Sequence, residues 1–124
     1  MTKVRKFGCK LESVPAARRF VRHVLRDQAH DVLDAAELMT SELATNCVQH
    51  AQTCFELAIE AAPREIRVEV RDVGGGRPTR KSPAPTDRTG RGLLIVEAMS
   101  ERWGIEPSAR GKTVWFTLPQ RAAV

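Results

Sequence analysis

The chain has 124 residues, 42% of them hydrophobic, and a formal net charge of +5 from 20 Lys and Arg against 15 Asp and Glu. That is enough for one domain with a buried core and too little for two; it excludes a disordered chain, and no apolar run approaches the ~20 residues of a membrane-spanning helix. The N-terminus MTKVRKFGCK has no hydrophobic region to indicate secretion, and three cysteines at 9, 47 and 54, odd in number and without C-x-x-C spacing, point to reduced thiols and a cytoplasmic location.

Residues 3–12 alternate Phe7, Cys9 and Leu11 against charged neighbours, which predicts an edge strand. Ser13 and Pro15 mark a helix start. Val14, Ala17, Val21, Val24 and Leu25 give that helix one apolar stripe, with Arg18, Arg19, Arg22 and Arg26 facing away. A second helix begins at Asp31. Residues 53–61, through Phe55, Leu57 and Ile59, and residues 65–71, through Ile66, Val68 and Val70, read as two half-buried strands of a hairpin joined near Pro63. From Val73 to Arg91, VGGGRPTRKSPAPTDRTGR holds too much glycine, proline and charge for a packed element, and a loop this long in a small domain is usually functional. A short buried helix, LLIVEAM, then opens at Gly90-Arg91-Gly92, followed by strands RWGIE and KTVWFTL. The order β-α-α-β-β-(loop)-α-β-β predicts an α+β two-layer sandwich: one mixed, mainly antiparallel sheet with helices on one face. The whole chain, 1–124, reads as a single domain with a short N-terminal arm at 1–3 and a C-terminal tail at 120–124. Alternating βαβ units are absent, which argues against a Rossmann sheet.

The second helix carries an anomaly. At about 100° per residue, Val32, Ala36, Met39, Leu43 and Cys47 form its apolar stripe, yet Asn46 and His50 fall inside that stripe and Glu42 on its rim. An unpaired buried polar group costs about 1–3 kcal/mol, so either these residues bond one another or something polar enters between helix and sheet. Taken singly, each has a bland reading: Asn46 a core amide on backbone, Glu42 a solvated rim carboxylate, His50 a cation at the helix end. The second hairpin strand repeats the anomaly. Continuing Ile66, Val68, Val70 by two places puts Asp72 on the apolar face, and behind it Gly74-Gly75-Gly76 offers backbone that a ligand can approach closely. Thr89-Gly90-Arg91-Gly92 before an apolar helix supplies N–H groups, clearance and a cation for phosphate. Read in order, these features describe a nucleotide held between sheet and helices, with a metal at its phosphate end.

Other chemistries find less support. Gly111-Lys112-Thr113 lacks the P-loop glycine five places earlier, where Glu106 stands, and runs into a strand. Cys47, His50 and Cys54 lack a fourth zinc ligand at conventional spacing. An aromatic share of 5% without aromatic–basic interleaving does not make a nucleic-acid surface; the positive charge suits an anionic partner and equally an ordinary arginine-rich exterior.

SELATNCVQHA resembles the N box of the GHKL (Bergerat-fold) ATPases, with Glu42 and Asn46 in its E-x-x-x-N positions. RDVGGGRP resembles their first glycine box, with Asp72, Gly74 and Gly76 matching; TGRGLLIVEAMSERWG resembles the second, and GKTVWFTLP the closing strand with Thr113. The phrase GRGLLIVEAMSERWG is most similar to the bacterial anti-sigma-factor serine kinases. The resemblance implies that ATP and Mg²⁺ are bound. Asp72 would accept from the adenine amino group with Thr113 supporting it, and Gly74 and Gly76 would lie against the purine. Asn46 would hold Mg²⁺; Gly90, Arg91, Gly92 and Leu93 would face the phosphates; Glu42 would be the general base. It further implies a serine/threonine protein kinase and anti-sigma factor whose partners are a sigma factor and a STAS-type anti-anti-sigma protein, with no direct contact to nucleic acid or membrane, and a homodimer. The alternative is a nucleotide-dependent anti-sigma binding module with little kinase activity.

Overall fold

A computed structural model describes residues 1–74, 87–107 and 111–123. In chain order the elements are β1 (Thr2–Phe7), α1 (Ser13–Val24), α2 (His30–Thr45) continued by a π-helical turn (Asn46–Ala51), β2 (Cys54–Ala61), β3 (Glu65–Gly74), α3 (Asp87–Met99), β4 (Arg102–Pro107) and β5 (Lys112–Pro119). The strands form one sheet in the order β1-β2-β3-β5-β4. Every neighbouring pair is antiparallel, so the α+β sandwich is as expected but the mixed sheet is not. The connection through α3 explains the difference: it carries the chain from β3 to β4, which run the same way, but β5 lies between them.

Strand alternation sorts the two faces. Phe55, Leu57 and Ile59 of β2, Ile66, Val68 and Val70 of β3, and Val114, Phe116 and Leu118 of β5 are buried together with Ala17 and Val21 of α1, Ala36, Met39 and Leu43 of α2, and Val96 of α3. Each such large side chain contributes about 1.5–3 kcal/mol by leaving water. The opposite face of the sheet carries charge in pairs: Arg71 on Glu56 at 2.9 Å and on Glu69 at 2.8 Å, and Arg67 on Glu69 at 2.9 Å. Trp115 lies on that face beneath the Arg67 guanidinium, 4.2 Å from the ring centre. It crosses β4 at Gly104, where a β-carbon would come within 2.8 Å of the indole.

The α2 stripe Val32, Ala36, Met39, Leu43, Cys47 is buried as its periodicity predicts. His50 is not: it is exposed. The helix widens to π geometry at Asn46, so each later residue advances less around the axis and His50 turns out of the stripe. Strand β1 also differs from expectation, ending at Phe7 rather than running to residue 12. Phe7 stacks on Phe55, ring centres 5.2 Å apart. The chain then turns sharply so that the Ser13 hydroxyl donates to the Gly8 carbonyl at 2.6 Å, which leaves Cys9 and Leu11 exposed. Both expected loose ends are tied down. Thr2 and Lys3 pair with Glu60 and Ile59, while the tail bridges Gln28 to Ala122 and accepts the Ala29 N–H on the Arg121 carbonyl at 2.8 Å. No described helix is long and apolar enough to cross a membrane.

Candidate functional site

Four chain segments converge at one end of the sandwich: the C-terminal turns of α2, the first half of α3, the end of β3 and the start of β5. Glu42 and Asn46 stand one turn apart on the flank of α2 that meets α3. The place where the two helices touch is Gly92. A β-carbon there would lie 3.0 Å from Asn46 Nδ2 and 3.6 Å from Glu42 Cβ. The glycine thus lets α3 close onto the N-box side chains without displacing the amide.

Asn46 carries an unsatisfied polar atom at this contact. Its backbone N–H donates to the carbonyls of Glu42 and Leu43, ending the α-helical ladder. Its side-chain Oδ1, however, is shielded from solvent and accepts no hydrogen bond from the described residues. A buried amide oxygen left unpaired costs about 1–3 kcal/mol, a penalty a ligand or ion would remove. Among the described residues no cluster of three or more His, Cys, Asp and Glu side chains could hold a metal ion. One amide oxygen does suit Mg²⁺, which keeps several waters and draws its other ligands from phosphate.

Glu42 is half-buried, its side chain 18% exposed, and its Oε1 lies 3.8 Å from Arg91 Nη2, whose side chain is 65% exposed. The carboxylate is thus partly covered by protein yet still reaches solvent. Arg91, Gly92 and Leu93 do not sit at the opening of α3 as the sequence suggests. The helix begins at Asp87, and their N–H groups are taken up along it. The unpaired N–H groups and the positive end of the dipole are displaced toward Asp87, with Gly90 in that first turn. The earlier start has a local cause: Asp-Arg-Thr before Gly90 contains nothing that opposes a helix, and one glycine costs only about 1 kcal/mol.

Asp72 keeps the alternation of β3. It pairs with Phe55 just as Val70 pairs with Leu57 and Val68 with Ile59, so its carboxylate is on the helix-bearing face. Its field reaches the Cys47 thiol: burial first, then Asp72, push that group up from 9.0 to about 12. Asp72 is therefore within electrostatic reach of the residue that follows Asn46. Gly74 closes β3 opposite Cys54; Gly76 lies outside the described residues. Thr113 pairs with Arg71, so it belongs to the row of Trp115 and faces away from Asp72. The expected support of Asp72 by the Thr113 hydroxyl is corrected accordingly. It is Gly111 that stands against the acid, where a β-carbon would lie 2.7 Å from Asp72 Cγ and Oδ2. Sequence reasoning passed over Gly111 because only the β3–β5 register brings the two together.

A sequence profile of the histidine kinase-like ATPase domain matches residues 7–118. No curated protein matches the sequence. Among solved structures, the crystal structure of the RsbU and RsbW domains of Rv1364c from Mycobacterium tuberculosis matches with a TM-score of 0.76 at 20% identity, covering 99% of this chain and 34% of that one. The likeness is one of fold, and this chain spans about a third of the length of that protein chain. With the family profile covering nearly its full length, the chain belongs to the histidine kinase-like ATPase domain family.

Proposed function

We propose that this protein is an ATP-dependent serine/threonine protein kinase and anti-sigma factor that phosphorylates a STAS-type anti-anti-sigma partner in the cytoplasm. The observation that carries the nucleotide part is the orphaned, buried Oδ1 of Asn46, flanked by Glu42 and opposed by Gly92. The kinase and partner part rests on the similarity of GRGLLIVEAMSERWG to the anti-sigma-factor serine kinases.

In this reading adenine sits beside Asp72, whose carboxylate accepts from the exocyclic amino group, while Gly74 and Gly76 leave room for the ring. The phosphates extend toward the amino end of α3, where unpaired N–H groups and the dipole favour negative charge. Asn46 Oδ1 would hold Mg²⁺, whose part is to neutralise charge on the phosphate oxygens. Glu42 takes the proton of the partner's serine hydroxyl as its oxygen forms a bond to the γ-phosphorus. The bond from that phosphorus to the β,γ-bridging oxygen breaks, and ADP leaves. Arg91 would release Glu42 and turn to the γ-phosphate, because their pairing is long at 3.8 Å and the guanidinium is mostly exposed.

The test is incubation with labelled ATP and STAS proteins from the same genome. Glu42→Ala is expected to bind ATP within about threefold of wild type yet to lower transfer by two orders of magnitude or more, roughly the worth of a general base. Asp72→Asn is expected to weaken ATP binding by on the order of tenfold or more, the worth of a hydrogen bond to a carboxylate. Transfer undiminished in Glu42→Ala contradicts the catalytic assignment. A second reading, a nucleotide-dependent anti-sigma module with little kinase activity, draws on the Glu42–Arg91 pairing itself, which occupies the base. It predicts sigma-factor capture without transfer to any STAS protein.

A further inference from the structure

We infer that Gly111 is a positioning and base-specificity residue: the absence of a side chain there is what allows the Asp72 carboxylate to stand where it can receive an adenine amino group. The inference rests on the proposed nucleotide reading and adds to it a residue outside both glycine boxes. A β-carbon at 111 would lie 2.7 Å from both Cγ and Oδ2 of Asp72 and 3.1 Å from its Cβ, distances at which one partner must move. Gly111 has no left-handed backbone conformation that would itself require glycine. Alanine is therefore conformationally acceptable, and the conflict falls on the neighbour. The strands on both sides are fixed by pairing, Arg71 to Thr113 and Val70 to Val114, whereas the Asp72 carboxylate is the far end of a rotatable side chain. The side chain gives way, and the group displaced is the one that reads the base.

Gly92 provides a contrast within the same molecule. Its missing β-carbon leaves 3.0 Å to the Asn46 amide, a gap that a small shift can relieve, and it serves the phosphate end of the site. Gly104 shows the same collision on the other face, at 2.8 Å from Trp115, where no ligand is in question. Among these three glycines, Gly111 is the one that joins a severe collision to a side chain with an assigned recognition role.

The experiment measures, by titration calorimetry, the affinity of wild type, Gly111→Ala, Asp72→Ala and the double variant for ATP and for the purine ribonucleoside triphosphate that lacks the 6-amino group. Wild type is expected to prefer ATP by on the order of tenfold or more, the worth of one hydrogen bond to a carboxylate. Gly111→Ala is expected to lose most of that preference while its affinity for the analogue changes less than about threefold, and the double variant to add nothing to Asp72→Ala. Because the readout is a ratio within each variant, a reduced folded fraction cancels. Full preference for ATP in Gly111→Ala overturns the inference, as does an equal loss toward both nucleotides. If Gly111→Ala fails to fold, the double variant, relieved of the two 2.7 Å contacts and left with the milder 3.1 Å approach to the β-carbon of residue 72, is expected to fold; failure of both overturns it too. Wild type that binds neither nucleotide overturns the proposed function and takes the inference with it.

Discussion

Cys47 condenses the physics of this site into one side chain. It follows Asn46, lies in the core, and feels the charge of Asp72. Burial and then that carboxylate raise the thiol to about 12, so the native protein holds it neutral where an unfolded chain has begun to ionise. The sign follows from linkage. The stability contributed by the neutral thiol is complete below the ordinary value of 9.0 and is lost as pH rises toward about 12. Cys47→Ser is expected to flatten the alkaline limb of a denaturation series across that window. Iodoacetamide mapping of the native protein is expected to label exposed Cys9 and to leave Cys47 unmodified until denaturant is added. Rapid native labelling of Cys47 would contradict its burial. On the far face of the sheet, burial alone would raise Glu69, but hydrogen bonds from Arg71 and Arg67 outweigh it and hold the carboxyl below 4.5. Its contribution is present above that pH and disappears as pH falls through the depressed value, so Glu69→Gln is expected to weaken the protein near neutrality and to make little difference in strong acid.

At the scale of elements, the π-helical turn governs the site. It begins at Asn46, ends at Gln52 with φ 56, and returns the chain to β2. A non-glycine residue in the left-handed region costs about 1 kcal/mol, so Gln52→Gly is expected to raise the melting temperature by a few degrees without altering ATP affinity, as thermal denaturation would register. The same turn marks what periodicity could and could not reveal. Steady α-helical advance places Met39, Leu43 and Cys47 correctly and fails at His50, because a π turn changes the phase without any local signal in NCVQHA. Strand alternation carries Asp72 to the apolar face correctly, since β3 holds its register with β2 as far as Asp72 and the irregularity comes only after it, between Asp72 and Gly74. It says nothing of Thr113 relative to Asp72, because the pairing of β3 with β5 is a tertiary choice. The glycines of the second box stand out in the sequence, but whether a helix starts before or at them depends on a balance near 1 kcal/mol, which patterning does not resolve.

For the molecule as a whole, the frame is an ordinary two-layer sandwich with an unsatisfied polar group near the end of α2. The layers are held by the apolar rows of three strands and three helices, and both chain ends are pinned to neighbouring elements. Against that rigid frame the end of α2 presents an amide oxygen with no hydrogen-bond partner among the described residues, faced by a glycine of α3. Such an arrangement is destabilising unless something binds. The most direct test is a calorimetric titration with ATP, with and without magnesium, on wild type and Asn46→Ala. The account predicts ATP binding by wild type that tightens roughly tenfold or more with magnesium, and a variant that has lost most of that magnesium dependence. No binding by wild type, or an equal magnesium effect in both proteins, would contradict it.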